Sequence, residues 1–200
     1  MNTLLQINSS IHSGQGQSSQ LAEVFVTSFL EHHPETQLIK RDLSADEVPH
    51  LTADRFAAFL ARPEERDDAQ RAVVDYSDEL IDEMKQADII VLGLPMYNFG
   101  VPSQLKAYFD HIARAGVTFR YTAQGPEGLL TGKKAYVFAT RGGAYAGTAL
   151  DSQTNYVRDF LSFIGITQVV FTYAESLARA PEVRSENLTR AINQTRLLAA

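Results

Sequence analysis

Cysteine is missing from all 200 residues. That excludes a disulfide, a thiolate nucleophile and a Cys-ligated metal, and it suits a reducing cytoplasm, the expected location. Basic residues are in deficit: the formal net charge is −6, which argues against a broad nucleic-acid or anionic-membrane surface, since both need a basic stripe. No apolar run approaches the length of a membrane span, and the N-terminus lacks the basic, apolar and small-residue succession of a secretory signal. The five histidines form no HxxxH or HExxH pair. His32-His33 stands at an expected helix end before Pro34, so no metal site is expected. What remains is a chain with 44% hydrophobic and 21% charged residues, the balance of a soluble globular protein, and its length suits one domain over 1–200.

The organising stretch is Ile89-Ile90-Val91-Leu92-Gly93-Leu94-Pro95, followed by Met96-Tyr97-Asn98-Phe99-Gly100-Val101-Pro102. The unbroken apolar half is the pattern of a strand buried on both faces of a parallel sheet. The second half suits a tight loop, with Pro102 placed where a helix begins. Further strands are expected over 3–8, 37–42, 135–140 and 167–173. Helices are expected from Ser18 or Ser19 as N-cap to Pro34, in two pieces between 43 and 86, from 105 to a C-cap at Gly116, over 156–164 and over 183–198. The charged face between 73 and 84 reads as solvated surface. The segment 117–130 is an excursion, hairpin or loop. Alternating strands and helices imply a doubly wound α/β domain with a parallel sheet and right-handed crossovers.

Loops at the carboxyl ends of such strands gather where ligands bind. Ser9, Ser10, Ser18 and Ser19 offer hydroxyls, Gly14 and Gly16 admit an anion to the backbone, and the following helix adds its dipole. No Gly-Lys-Ser/Thr follows, so this is not a Walker A loop, and Ser19 stands where a dinucleotide fingerprint needs its third Gly. Gly132-Lys133-Lys134 is a decoy ahead of a strand. A hydroxyl-rich loop without Lys or Arg suits a monophosphate ester, although a serine-rich surface loop capping a helix reads equally well. Met96 to Phe99 offers a wall for a flat, partly polar ring, or an ordinary turn with an aromatic plug. Thr140-Arg141-Gly142-Gly143 offers N–H groups with no side chain in the way, suited to negative charge on the pyrimidine part of a reduced flavin. The three loops together point to flavin mononucleotide.

The serines after the first strand, Pro95-Met-Tyr-Asn-Phe99, Arg114-Ala-Gly-Val-Thr-Phe-Arg-Tyr121, Gly125-Pro-Glu-Gly-Leu129, Thr131-Gly-Lys-Lys134, Arg141-Gly-Gly143 and Gly165-Ile166 resemble the bacterial FMN-dependent NADH-azoreductases over essentially the whole chain. The resemblance implies a flavodoxin-like fold with strand order 2-1-3-4-5, a homodimer with FMN near the subunit interface, and ping-pong reduction of quinones and azo compounds by NADH or NADPH. It implies that Ser10, Gly16, Gln17 and Ser18 hold the phosphate and ribityl end. Met96, Tyr97, Asn98 and Phe99 would hold the isoalloxazine ring, and Thr140, Arg141, Gly142 and Gly143 would close over its pyrimidine side. The family commonly has serine where this chain has Gly16, and the segment 144–148 is variable. Phe119, Tyr121 and Phe163 resemble substrate-pocket residues, the first two reaching the partner subunit's flavin; core or interface packing is the competing role, above all for Phe163.

The expected chemistry is a two-step relay needing no side-chain nucleophile: reduced nicotinamide delivers hydride to the flavin and leaves, and a quinone or azo compound takes the electrons in the same aromatic slot. Two alternatives belong to other classes. One is a flavodoxin-type electron carrier, which the long 43–86 insertion and the aromatic excursion disfavour. The other is a hydrolase using Ser9 or Ser10 with His12 or His111, for which no G-x-S-x-G elbow exists.

Overall fold

A computed structural model describes residues 2–200. The strand β3 (Ile89–Pro95) lies at the centre of a five-stranded sheet, with Ile90 to Pro95 all buried. On one side it pairs with β1 (Thr3–Asn8), which pairs with β2 (Gln37–Asp42); on the other it pairs with β6 (Lys134–Thr140), which pairs with β7 (Gln168–Ala174). Every pairing is parallel, in the order β2-β1-β3-β6-β7. Counting only strands of this sheet, that is the expected order 2-1-3-4-5. The two intervening strands, β4 (Phe119–Thr122) and β5 (Gly125–Gly128), form a separate antiparallel hairpin.

Helices cover both faces, as parallel strands require. On one face α1 (Gln17–His32) and α6 (Pro181–Ala199) pack on the sheet through Leu21, Phe25, Phe29 and Ala191 against Leu4, Val91 and Phe138. On the other, α3 (Asp68–Gln86), α4 (Ser103–Ile112) and α5 (Ser152–Phe163) bury Leu80, Ile81, Leu105, Phe109 and Leu161 against Leu5, Leu92 and Val137. Each fully buried Leu, Ile or Phe contributes roughly 1.5–3 kcal/mol relative to exposure, so these clusters carry the fold. The short helix α2 (Ala53–Leu60) lies against α3, whose first turn is closed by a capping box between Asp67 and Gln70.

Three local expectations need correction. The N-cap of α1 is Gly16, which places Ser18 and Ser19 inside the first turn, both buried. The physical reason is close approach: a Cβ on Gly93 of β3 would stand 3.1 Å from the Ser18 carbonyl oxygen and 3.3 Å from the Ser19 nitrogen, so this glycine lets the first turn sit on the sheet. Helix α4 stops at Ile112, short of Gly116, because the Thr118 hydroxyl donates to the Ile112 carbonyl at 2.6 Å and accepts from the Arg114 N–H at 3.0 Å. Gly116, at φ +78°, serves the turn beyond. The carboxylates of α3 are not all solvated: Glu79 and Glu83 pair with Arg41 of β2, and Glu83 is largely covered.

Candidate ligand site at the carboxyl edge of the sheet

Strands β1, β3 and β6 are neighbours, so the loops that follow them meet at one rim. Chain order reverses between β1 and β3, which makes this rim the crevice where doubly wound sheets bind ligands.

The first loop is tied to the second by neutral hydrogen bonds. Ser9 Oγ donates to the Gly93 carbonyl at 2.7 Å. The Tyr97 hydroxyl lies 3.2 Å from Ser10 Oγ and accepts from the Ile11 N–H at 3.3 Å. Ser10 lies against Gly16, where an added Cβ would stand 2.5 Å from Ser10 Cβ. The N-cap of α1 makes no side-chain hydrogen bond, so no cap side chain satisfies the first-turn N–H groups of Gln17, Ser18 and Ser19. The Ser18 and Ser19 hydroxyls are buried without a partner. A phosphate monoester fits this arrangement, supplying acceptors to orphaned donors at a helix N-terminus. By contrast the decoy Lys133 points elsewhere, donating to the carbonyls of Lys85 at 2.7 Å and Ala87 at 2.5 Å beyond the end of α3.

The second loop spends backbone N–H groups on the protein itself. Met96 N–H donates to the Thr140 carbonyl at 2.9 Å, and Tyr97 and Gly100 exchange both backbone bonds. Asn98 and Phe99 form the two-residue tip, at φ +49° and +61°. Two consecutive left-handed residues without glycine are strained, and such strain is concentrated at functional sites. The tip is held from below by Gln153 of α5, whose buried amide donates at 2.9 Å to both the Pro95 and Gly100 carbonyls. Gln153 was not foreseen, since nothing in its sequence neighbourhood signals the role; Gly93, an isolated glycine inside a strand pattern, carried a signal.

In the third loop the backbone carbonyls of Arg141, Gly142 and Gly143 accept from Leu177, Ala178 and Ser176 at 3.1, 3.1 and 3.0 Å. With the carbonyls engaged by the chain after β7, the Gly142 and Gly143 N–H groups remain without an acceptor among the described residues. Arg141 itself does not reach toward the rim. Its N–H donates to the Ala174 carbonyl, and its guanidinium is fully buried, bonding Asp151 at 2.7 Å, Thr154 at 3.1 Å and Glu175 at 3.2 Å over the ring of Tyr173. Burial raises the Asp151 carboxyl, but hydrogen bonds from Arg141 and Thr154 outweigh it and hold the pKa at about 2.

The aromatic residues assigned to a substrate pocket lie apart from these loops. Phe119 is buried and packs on Phe163 at 4.3 Å and on Tyr121 at 5.5 Å, while Tyr121 is 75% exposed. Phe119 and Tyr121 line a cavity of about 460 Å³ with Phe56, Phe59 and Leu60, to which no residue of the three loops contributes. Phe163 is half-buried against the core. The hydrolase alternative loses one base: His111 is fully buried, its ring edge-on to Phe59 and Tyr76 and Nδ1 on the Ala107 carbonyl at 2.9 Å. Burial lowers its pKa.

The sheet order, the uncapped α1 terminus with its orphaned hydroxyls and the glycine-edged third loop define a doubly wound α/β protein of flavodoxin type. A family model described as "Flavodoxin-like fold" matches residues 2–198. A Burkholderia pseudomallei protein named FMN-dependent NADH:quinone oxidoreductase is 52% identical over 191 residues, 96% of either chain. One of the same name from Cellvibrio japonicus is 53% identical over 177 residues, covering 88% of this chain and 89% of its own. Among solved structures, an FMN-dependent NADH-azoreductase from Bacillus anthracis in complex with FMN superposes with a TM-score of 0.87 at 26% identity over the full length of both chains. The chain belongs to the flavodoxin-like family, and within it to the group that includes these FMN-dependent NADH:quinone oxidoreductases.

Proposed function

We propose that this protein is an FMN-dependent NADH:quinone oxidoreductase that also reduces azo compounds. The observation that carries the reading is the pairing of unspent donors at one rim: the α1 terminus for a phosphate and the Gly142 and Gly143 N–H groups for an electron-rich ring edge. The identity to relatives of that name supports it. FMN, when bound, supplies two-electron transfer between reduced nicotinamide and an acceptor. The protein's part is placement and electrostatics. Ser10, Gly16, Gln17 and Ser18 bind the phosphate and ribityl end, with Ser19 added from the same turn. Met96, Tyr97, Asn98 and Phe99 wall the ring. Thr140 closes the edge through the carbonyl that fixes Met96, and Arg141 holds the loop so that Gly142 and Gly143 direct N–H groups where negative charge collects on reduction. NADH is the donor assigned here, as in the names of the relatives.

The working unit is a homodimer in this reading. Phe56, Leu60 and Tyr121 are large apolar side chains left exposed around the hairpin cavity, a concentration that marks an interaction surface. Phe119 shapes that surface, Tyr121 extends from it to the partner's acceptor slot, and Phe163 supports Phe119 from the core. The enzyme acts in the cytoplasm.

The purified protein mixed with FMN is expected to retain a yellow chromophore, to bleach with NADH without air, and to recover its colour with a quinone. Parallel lines in double-reciprocal plots are expected, because donor and acceptor use one slot in turn. A protein that stays colourless with FMN would overturn the assignment.

A further inference from the structure

Tyr145 is the single aromatic residue between Arg141 and Asp151, and the sequence patterns assign it no role. Its main chain is pinned on both sides. Glu175 accepts at 2.8 Å from the N–H groups of both Tyr145 and Ala146, and Arg141 holds that carboxylate at 3.2 Å. The Tyr145 carbonyl accepts from the Thr148 N–H at 2.9 Å and from its hydroxyl at 2.8 Å. With the backbone so fixed, the side chain is aimed across Gly143, where an added Cβ would stand 2.5 Å from Tyr145 Cζ. Beyond Gly143 the ring meets Phe99, centroids 5.4 Å apart and planes inclined at 59°. Phe99 is itself constrained, left-handed at φ +61° with its carbonyl bonded by Ser152. An aromatic pair therefore spans from the second loop to the third, and both members keep solvent-facing surface.

We propose that Tyr145 is a specificity-determining residue of the acceptor slot: with Phe99 it forms an aromatic side wall that selects flat-ring acceptors. The inference rests on the flavin reading above, because the two loops it joins are those assigned to the ring. Its ring covers the Gly143 backbone, assigned above to the pyrimidine edge, and keeps surface that an incoming acceptor could pack on. A tyrosine held by its main chain loses little freedom on packing against an incoming ring, having two side-chain torsions to fix.

The test is calorimetric titration of 1,4-naphthoquinone into oxidised, FMN-loaded protein, alongside titration of FMN into the flavin-free protein followed by quenching of flavin fluorescence. Loss of one aromatic packing partner is expected to weaken naphthoquinone binding about tenfold in Tyr145→Leu. Tyr145→Phe, which keeps the ring, is expected to recover most of that affinity, and the FMN affinity of both variants is expected to stay within about threefold of the parent. In steady state the KM for naphthoquinone should rise in Tyr145→Leu while that for ferricyanide, which has no ring to pack, should not. Unaltered naphthoquinone binding in Tyr145→Leu would overturn the proposal. So would an equal loss of FMN and naphthoquinone, which would make Tyr145 part of the flavin's own seat. If the parent protein takes up no FMN, the flavin reading fails first and this proposal falls with it.

Discussion

The loop after β1 and the loop after β6 face the same rim but are held by different physics. The first is tied to its neighbour by neutral hydrogen bonds, from Ser9 to Gly93 and between Ser10 and Tyr97, has one bond from Ser13 to the Asp42 carboxylate at the end of β2, and leaves two buried hydroxyls with nothing to bond. The other is anchored by a buried guanidinium between two carboxylates, and its carbonyls are consumed by the segment after β7. Under the proposed function the contrast follows from what each would be asked to hold. A dianionic phosphate brings its own strong acceptors, so its loop gains by keeping donors unspent. A ring edge that becomes negative only on reduction brings little binding energy of its own, so the N–H groups facing it must be fixed beforehand. In that reading one loop would be completed by its ligand; the other is complete without it.

Breaking the ionic anchor should give the largest effect. Arg141→Met leaves Asp151 and Glu175 without their cation while Asp151 stays covered. Removing one partner of a buried pair costs about 3–5 kcal/mol, and that loss is expected in urea unfolding. In a chain of this size it corresponds to a melting point lower by roughly 10 °C. No comparable loss is expected from any single change in the first loop. A drop in stability of under about 1 kcal/mol would show that the guanidinium is not the anchor described here.

The same anchor should be visible in acid. The folded-state pKa of Asp151 is about 2 against an ordinary 3.8, so its ion pair adds stability that is fully present above pH 4 and is lost as the pH falls through 2. By linkage the contribution is of order 2 kcal/mol. Asp151→Asn keeps an acceptor for the Thr154 N–H at the start of α5 but removes the charge. The parent should therefore be more stable than the variant at pH 7, and the two stability curves should converge below pH 3. Curves that run parallel down to pH 2 would assign the depression to some other group.

These ionic partners mark where sequence reading stops. The strands and the three loop positions follow from local patterns: an apolar run for β3, alternating elements for the crossovers, clusters of Ser and Gly for turns; the strand order follows from the family resemblance instead. Arg141 beside two glycines reads equally well as a ligand-facing cation, because the residues that claim it, Asp151 and Glu175, are 10 and 34 positions away and belong to different elements. Gln153 reaches Pro95 across 58 positions, and no periodicity announces such a contact. The start of α1 was displaced for a related reason. Ser18 and Ser19 have good N-cap chemistry, but the approach of the helix to Gly93 sets the boundary at Gly16 instead. Local propensity yields to packing there, and it does so at the proposed phosphate site.

Gly16 offers a smaller perturbation of the first loop. Its backbone, at φ −67°, suits any residue, so Gly16→Ala should fold normally. The new methyl would collide with the Ser10 side chain and separate it from Tyr97. Affinity for FMN is expected to fall about tenfold, the equivalent of one charge-assisted hydrogen bond. Riboflavin, which lacks the phosphate, should bind both proteins alike. Equal losses for the two flavins would move Gly16 away from the phosphate and toward the ring.

Ser18→Ala should have the mildest effect and the most informative signs. In the flavin-free protein the Ser18 hydroxyl is buried and unpartnered, so removing it relieves a desolvated donor and is expected to raise stability by up to about 1 kcal/mol. In the proposed complex the same hydroxyl would donate to the phosphate, and its loss is expected to weaken binding about fivefold, or roughly 1 kcal/mol. One substitution would thus stabilise the empty protein and destabilise the complex, which no purely structural serine would do. Unfolding midpoints measured with and without FMN report both signs in one experiment. If both midpoints fall together, Ser18 has a partner in the flavin-free state, and the first loop is no less complete than the third.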